Sequence, residues 1–124
     1  PGAYIAEPDN AVVRAHLIDQ LAHDLNAWKL SADVAYLSAN HPMQSPFVTC
    51  YAIQDTLPFN LKNLQKYLSA RKIGRLDIKK RHFPLTPEAL RAKLKLKGDG
   101  WLTLFLTRID NHPTVIVCDP LWTS

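Results

Sequence analysis

Glycine and cysteine are scarce in this sequence, which has 4 glycines and 2 cysteines among 124 residues. So few glycines leave no phosphate-binding loop of the Gly-x-Gly-x-x-Gly or Walker type, and no Gly-x-Ser-x-Gly elbow for a nucleophile is present. The 5 histidines, at positions 16, 23, 41, 82 and 112, do not have the spacing of a zinc site. We therefore predict that this chain holds no catalytic residue, no cofactor and no metal.

A pair of acids near the start, Glu7 and Asp9, flanks a proline. Paired carboxylates can serve general acid–base chemistry. However, Asp9 precedes an apolar-periodic run, a position that favours capping of a helix. Glu7 would then complement the helix dipole or dock on a neighbouring domain. We favour these structural roles over catalysis.

Long apolar runs are also missing. The runs present are far shorter than the roughly 20 residues that span a membrane, and Pro1 is not followed by the regions of a signal peptide. The chain starts without methionine, as a domain cut from a longer protein would. Cys50 and Cys118 both fall in predicted strands. We interpret them as buried reduced thiols, because a disulfide would need adjacent strands and an oxidising compartment. These features predict a cytoplasmic protein with no membrane partner.

Acidic residues are scarce in one part of the chain, residues 62–97, which we call the basic segment. It contains 12 lysines and arginines but only two acids, Asp77 and Glu88. The segment therefore carries a formal charge of +10, whereas the whole chain carries +4 and the remainder −6. If the protein binds an acidic partner, this distribution predicts that it does so through the basic segment.

The first 45 residues are predicted to form a small helical N-terminal lobe. Apolar residues recur every three or four positions between residues 10 and 25, which indicates one helix capped by Asp9 or Asn10 and ended by Asn26. Short strands are expected at residues 3–6 and 34–37. A proline-containing loop follows, and we place a domain boundary near residue 45.

Residues 46–124 are predicted to form an α+β domain with the order β-α-β-α-β-β. The strands are expected at residues 47–57, 75–80, 101–109 and 114–118, and the helices start from caps at Asn60 and Thr86. Gly98 is the expected end of the second of these helices. The predicted core is a four-stranded mixed sheet with both helices on one face and right-handed crossovers.

The strand at residues 75–80 alternates cleanly: Leu76 and Ile78 point to the core, and basic residues point the other way. Such a surface can neutralise phosphates. RNA is favoured over DNA because no helix-turn-helix or zinc-finger pattern is present. The predicted nucleic-acid-binding residues are Arg71, Lys72, Arg75, Lys79, Lys80, Arg81, Arg91, Lys93 and Lys97. The alternative is a solvated face with a lysine-protected edge strand. Tyr67, Phe83 and Trp101 would either stack on bases or belong to the core.

One family shares several motifs of this sequence. They are Ile73-Gly74-Arg75-Leu76-Asp77-Ile78-Lys79-Lys80-Arg81, Pro87-Glu88-Ala89-Leu90-Arg91, Leu94-Lys95-Leu96-Lys97-Gly98-Asp99, Tyr4-Ile5-Ala6-Glu7-Pro8-Asp9 and Leu102-Thr103-Leu104-Phe105-Leu106-Thr107-Arg108. With these motifs the chain resembles the THUMP-like C-terminal domain of bacterial class I S-adenosylmethionine-dependent methyltransferases. The family has a glycine where this chain has His82, so a left-handed backbone at that position would have to be adopted by histidine.

The resemblance implies a non-catalytic accessory domain. S-adenosylmethionine would bind to a methyltransferase domain upstream of Pro1, and this domain would hold structured RNA, such as tRNA or rRNA, for modification there. The alternative is a structural module whose basic surface docks on the parent catalytic domain or on a protein partner, with Glu7, Pro8 and Asp9 in the joint.

Overall fold

The computed structural model describes residues 1–120, which divide into two compact units, one from Pro1 to Gln54 and one that starts at Asp55. The predicted division into residues 1–45 and 46–124 stays a prediction, and residues 121–124 lie outside the described part. The described residues contain seven strands and four helices. The α+β class is therefore confirmed, whereas the predicted four-stranded sheet is inexact, because the described residues form seven strands.

The additional strands lie in the first unit, which is built on an antiparallel sheet. Its strands are β1 (Tyr4–Pro8), β2 (Trp28–Ser31), β3 (Val34–Ala39) and the first part of β4 (Val48–Pro58). The strand order is β2-β3-β1-β4, and each neighbouring pair is antiparallel. The lobe is thus not simply helical. The sequence of β2, Trp-Lys-Leu-Ser, alternates apolar and polar residues, a period-two signal at the shortest length that indicates a strand, and the sequence-based prediction missed it.

Two short helices, α1 (Asn10–Arg14) and α2 (Ile18–Asp24), replace the single helix expected at residues 10–25. His16 adopts a left-handed backbone with φ 57°. The amides of His16 and Leu17 donate to the carbonyls of Val13 and Val12, the bonding pattern of a Schellman motif that ends a helix. The apolar spacing continues through this break, and for that reason periodicity alone did not reveal it.

The start of α1 and the end of α2 lie where the sequence predicts them. The Asp9 carboxylate accepts a hydrogen bond of 2.8 Å from the amide of Ala11, and Asn26, with φ 51°, terminates α2 as predicted. The loop that follows β3 is attached to this point, because His41 Nε2 lies 3.1 Å from the Asn26 carbonyl and Nδ1 lies 3.0 Å from that of Pro42. These carbonyls, Pro42 first, raise the pKa of the imidazole.

The second unit has the predicted order of elements. After β4 come α3 (Leu61–Ala70), β5 (Ile73–Lys80), α4 (Pro87–Lys93), β6 (Gly100–Ile109) and β7 (His112–Cys118). The strand order is β4-β7-β6-β5. Because β5 and β6 are parallel while β6 and β7 are antiparallel, the sheet of this unit is mixed.

One hydrophobic core joins both helices to the sheet of the second unit. Leu64 and Leu68 of α3 and Leu90 of α4 pack in the same buried cluster as residues of β5, β6 and β7. Both helices therefore lie on one face of this sheet, as predicted. On the opposite face of β6, Thr103, Phe105 and Thr107 are buried as well, so β6 is covered on both sides. Cys50 and Cys118 are free thiols.

The helix starts of the second unit also agree with the sequence. The Asn60 side chain accepts from the amide of Asn63 at 2.9 Å, and the Thr86 hydroxyl accepts from the amide of Ala89 at 3.1 Å. The expected end at Gly98 is wrong, because α4 stops at Lys93 with Leu94 as its extended C-cap.

Gly98 has a different role, close packing of main chain against main chain. Its φ is +132°, and a Cβ at this position would lie 2.1 Å from the carbonyl oxygen of Lys72. A Cβ at Gly74 would in turn lie 2.0 Å from the oxygen of Gly98. Both distances are far below any real contact, so only glycines allow the starts of β5 and β6 to approach so closely.

Candidate nucleic-acid interface

The nine predicted nucleic-acid-binding residues are spread over consecutive elements of the second unit. Arg71 and Lys72 follow α3, where Lys72 makes the turn into β5 with φ 54°. The others lie on β5 or just after it (Arg75, Lys79, Lys80, Arg81), on α4 (Arg91, Lys93) and between α4 and β6 (Lys97). Their side chains differ in what they contact, and that difference separates Arg71, Arg75 and Arg91, which contact neighbouring groups, from the exposed lysines.

Arg71 belongs to a compact cluster with an aromatic ring and a carboxylate. Its guanidinium lies 3.5 Å from the centroid of the Tyr67 ring and donates a hydrogen bond of 3.3 Å to the Tyr67 carbonyl. It is also 3.9 Å from Asp55 Oδ2. The Tyr67 hydroxyl donates to the same oxygen at 2.5 Å. Asp55 therefore offsets part of the positive charge of Arg71.

The Tyr67 hydroxyl is kept protonated by its surroundings. Burial is the largest cause, and the hydrogen bond to the Asp55 carboxylate and the charge of that carboxylate act in the same direction. Arg71 opposes them, and the net result raises the pKa of Tyr67 to about 12. The cluster thus consists of a neutral hydrogen-bond donor (Tyr67), a carboxylate that both neighbours share (Asp55) and a cation stacked on the ring (Arg71). The sequence reasoning missed Asp55, because it lies in β4, outside the basic segment, 12 residues before Tyr67.

Arg75 belongs to a second cluster, built by the pairing of two parallel strands. The register places Arg75 of β5 opposite Trp101 of β6. Asp77 lies two residues further along β5, on the same face of the sheet. The guanidinium of Arg75 lies 3.8 Å from the centroid of the Trp101 ring. The indole nitrogen of Trp101 donates to Asp77 Oδ2 at 2.7 Å. Trp101 is therefore held in place, with one ring face covered by the arginine.

Arg91 reaches from α4 to the main chain of β5. Its guanidinium donates a hydrogen bond of 2.9 Å to the carbonyl of Leu76. The strand β5 ends the order of the sheet, so one of its edges has no neighbouring strand among residues 1–120. Arg91 satisfies one acceptor on that edge and attaches α4 to it, which is a structural task.

Exposed lysines remain as the main source of positive surface charge. Lys72, Lys80, Lys93 and Lys97 of the predicted set are exposed, and so are three further lysines of the basic segment, Lys62, Lys66 and Lys95. Lys79 and Arg81 are only partly exposed. A flexible ammonium at the surface can follow a phosphate backbone as a point charge, without fixing the sequence that is bound.

The aromatic residues named from the sequence lie in different surroundings. Phe83 is buried in the core and packs edge to face against Phe59, with 5.0 Å between the ring centroids. Tyr67 is covered on one face by Arg71. Phe83 is therefore not available to stack on a base, whereas Arg71 and Arg75 each present a guanidinium group on an exposed residue beside their rings.

A separate cavity of about 300 Å³ lies within the first unit, next to the acids at the start of the chain. Its lining comprises Glu7, Pro8, Asp9, Asn10, Pro46, Phe47, Val48 and Thr49. Phe47 is 53% exposed, one of three large hydrophobic residues with high exposure among residues 1–120. An exposed aromatic ring beside two carboxylates is suited to a contact with another protein surface.

The described part of the chain has neither a metal-binding cluster nor a membrane-spanning helix. Between Pro1 and Pro120, no group of three or more His, Cys, Asp or Glu side chains is placed to hold a metal ion. None of the helices in that range is long and apolar enough to cross a membrane.

The fold and the motifs together define the class of this protein. Residues 48–120 match the family described as THUMP domain-like, which is more than half of the chain. The chain belongs to this family.

Two curated relatives come from Mycobacterium tuberculosis, strains CDC 1551 / Oshkosh and ATCC 25618 / H37Rv. Each is named an uncharacterized S-adenosylmethionine-dependent methyltransferase and is 34% identical over 123 residues, or 96% of this chain. The match covers 34% of each relative, so the chain spans about a third of their length.

A solved structure shares the fold. It is the crystal structure of a protein assigned as a methyltransferase, from Porphyromonas gingivalis W83. The TM-score is 0.79 and the sequence identity is 23%, over 98% of this chain and 30% of the other. At this identity the likeness supports the fold alone.

Proposed function

We propose that this chain is a non-catalytic, RNA-binding accessory domain of an S-adenosylmethionine-dependent methyltransferase. The observation that carries the proposal is the set of exposed lysines on α3, β5, α4 and the segment after α4, a region with only two acids of its own. S-adenosylmethionine and the transfer of the methyl group would belong to the part of the parent that this chain does not cover. The relatives named as methyltransferases support that assignment.

The mode of binding follows from the side chains available. Lysine ammonium groups neutralise phosphates and release counterions, so affinity should fall steeply with salt and depend little on base sequence. Structured RNA, such as tRNA or rRNA, is the proposed ligand, and the cytoplasm is the proposed location. Arg71 and Arg91 contribute mainly to the fold that presents these lysines, because their guanidinium groups are bound to Asp55, Tyr67 and Leu76.

The test compares two triple variants with the same change in charge. One replaces Lys80, Lys93 and Lys97 by Glu, and its control replaces Arg14, Lys29 and Arg108, the cations outside the basic segment, by Glu. We expect the first variant to lose at least about tenfold in affinity for tRNA and to show a smaller salt dependence. The control should bind nearly as well as the original protein. Equal losses in both variants, or no binding at low salt by the original chain, would contradict the proposal.

A second candidate function is a structural module that docks on the parent catalytic domain or on a protein partner. The exposed Phe47 ring beside Glu7 and Asp9 favours it, because apolar surface next to charge is typical of protein contacts. In a full-length parent, Phe47→Ala should then weaken the attachment of this domain, measured as easier proteolytic separation. Unchanged proteolysis in that variant would count against docking through this surface.

A further inference from the structure

The Arg75–Trp101 pair has the form of a prepared stacking surface. The indole of Trp101 is fixed from one side by its 2.7 Å hydrogen bond to Asp77. Arg75 lies over the ring, with its guanidinium carbon 3.8 Å from the ring centroid, a distance at which a guanidinium stacks on an aromatic face. Two parallel strands supply these residues, and strands restrict backbone motion more than loops do. The ordering of the side chains is thus achieved before any ligand arrives.

The charge of Arg75 is not offset in the way that of Arg71 is. Asp77 accepts from the indole nitrogen, and within residues 1–120 no carboxylate lies within 4.0 Å of the Arg75 guanidinium. The residue is exposed. One plane of the guanidinium rests on Trp101, which leaves the other plane for a further flat group.

We propose that this outer plane of Arg75 is a stacking site for an unpaired nucleobase of RNA. The inference rests on the proposed function, because it assumes that RNA reaches this surface. Unpaired bases stack on arginine guanidinium planes as well as on aromatic rings. A base on Arg75 would extend the Trp101–Arg75 stack by one layer, while the positive charge attracts the adjoining phosphate. A paired base within a duplex has no free face to offer, so the site selects single-stranded or looped RNA.

The experiment separates stacking from charge. Binding of a single-stranded oligouridylate is compared with that of an oligonucleotide of the same length whose sugars carry no bases, at one fixed salt concentration. We expect the original chain to prefer the oligouridylate by about fivefold or more. Arg75→Lys keeps the charge but removes the plane. It should abolish the preference, leave binding of the abasic oligonucleotide unchanged, and leave the thermal midpoint unchanged. Arg108→Lys, an arginine outside the basic segment, is the matched control.

The outcomes distinguish this inference from the proposed function. If both oligonucleotides bind equally to the original chain, or if Arg75→Lys retains the preference, the stacking site is wrong while RNA binding stands. If neither oligonucleotide nor tRNA binds, both proposals fail.

A second readout follows the ring itself. The chain has 3 tryptophans, so a variant with Trp28→Phe and Trp122→Phe reports on Trp101 alone. Addition of oligouridylate should change its fluorescence and the abasic oligonucleotide should not. The same response to both would again contradict stacking.

Discussion

Two clusters of the second unit are made of the same kinds of group and do different things. Each contains an arginine stacked on an aromatic ring and one carboxylate. In the first, the Asp55 carboxylate binds the Tyr67 hydroxyl and also lies 3.9 Å from Arg71. In the second, the Asp77 carboxylate binds the indole of Trp101, and no carboxylate of residues 1–120 lies within 4.0 Å of the Arg75 guanidinium.

The difference depends on where each carboxylate lies relative to the stack. A tyrosine hydroxyl is at the end of its ring, and Asp55 can approach it and the guanidinium above the ring together. The indole nitrogen is at the ring edge, and Asp77, two residues from Arg75 on the same strand, is used to fix that edge. In the first cluster the carboxylate thus serves both the tyrosine and the arginine, and the cluster contributes to stability. The second leaves a positive plane at the surface and is suited to binding.

Among the variants considered, Gly98→Ala should have the largest effect on stability. It should also disturb the second cluster more than the first. The new Cβ would clash with the Lys72 carbonyl at 2.1 Å, at a φ of +132° that alanine disfavours. We expect a loss of about 3 kcal/mol or more in the free energy of unfolding, measured by urea denaturation. Because the clash lies between the starts of β5 and β6, the stack of Arg75 on Trp101 should be disturbed as well, which tryptophan fluorescence would show.

The control for this variant is Asp99→Ala, the exposed neighbour of Gly98, which should change stability by less than about 0.5 kcal/mol. A Gly98→Ala protein as stable as the Asp99→Ala protein would show that the two main chains do not meet as described.

Removal of each carboxylate in turn tests whether the clusters differ in what they stabilise. Asp55→Ala removes the partner of both Tyr67 and Arg71, and we expect a loss of about 1–2 kcal/mol in the free energy of unfolding. Asp77→Ala removes one hydrogen bond to Trp101, so the expected loss is smaller, about 1 kcal/mol. Its main effect should be on RNA binding, since Trp101 is no longer fixed. A larger stability loss in Asp77→Ala would reverse our assignment of the two clusters.

The smallest expected effect is a dependence of stability on pH, and it involves only the first cluster. The pKa of Tyr67 is raised from 10.0 to about 12, first by burial and then by Asp55. Folding therefore favours the protonated phenol, and its contribution to stability is complete below pH 10 and is lost as the pH rises towards about 12. Ultraviolet titration should show one phenol ionising late, absent in Tyr67→Phe. In Asp55→Asn the ionisation of Tyr67 should move only part of the way to lower pH, because burial still raises the pKa of the phenol. No movement would mean that Asp55 does not act on Tyr67.

The second unit could be predicted well because its signals are local. Alternation in β5 and the caps at Asn60 and Thr86 identify elements within a few residues. The ends were harder to predict, since the turn after α3 is made by Lys72, a lysine with φ 54° and not a glycine. In the same way, the role of Gly98 depends on contact with Lys72, 26 residues earlier in the sequence, which no local pattern encodes.

The candidate site shows the same limit. Charge counting found the exposed lysines, since a count over consecutive elements requires no knowledge of contacts. It could not show that Arg71 is offset by Asp55 or that Arg91 binds the carbonyl of Leu76, because these partners lie 16 and 15 residues away in sequence. The pairing of Arg75 with Trp101 requires the register of two strands separated by a helix.

The left-handed backbone at His82 determines which residue types position 82 accepts. With φ 56° at His82, the main chain is in the left-handed region, and this backbone conformation limits which residues fit more than side-chain chemistry does. Histidine and glycine can both follow this path, glycine with less steric strain, whereas a β-branched residue is strongly disfavoured. A glycine at position 82, which the resemblance to the family implies for other members, would therefore fit the same main-chain path.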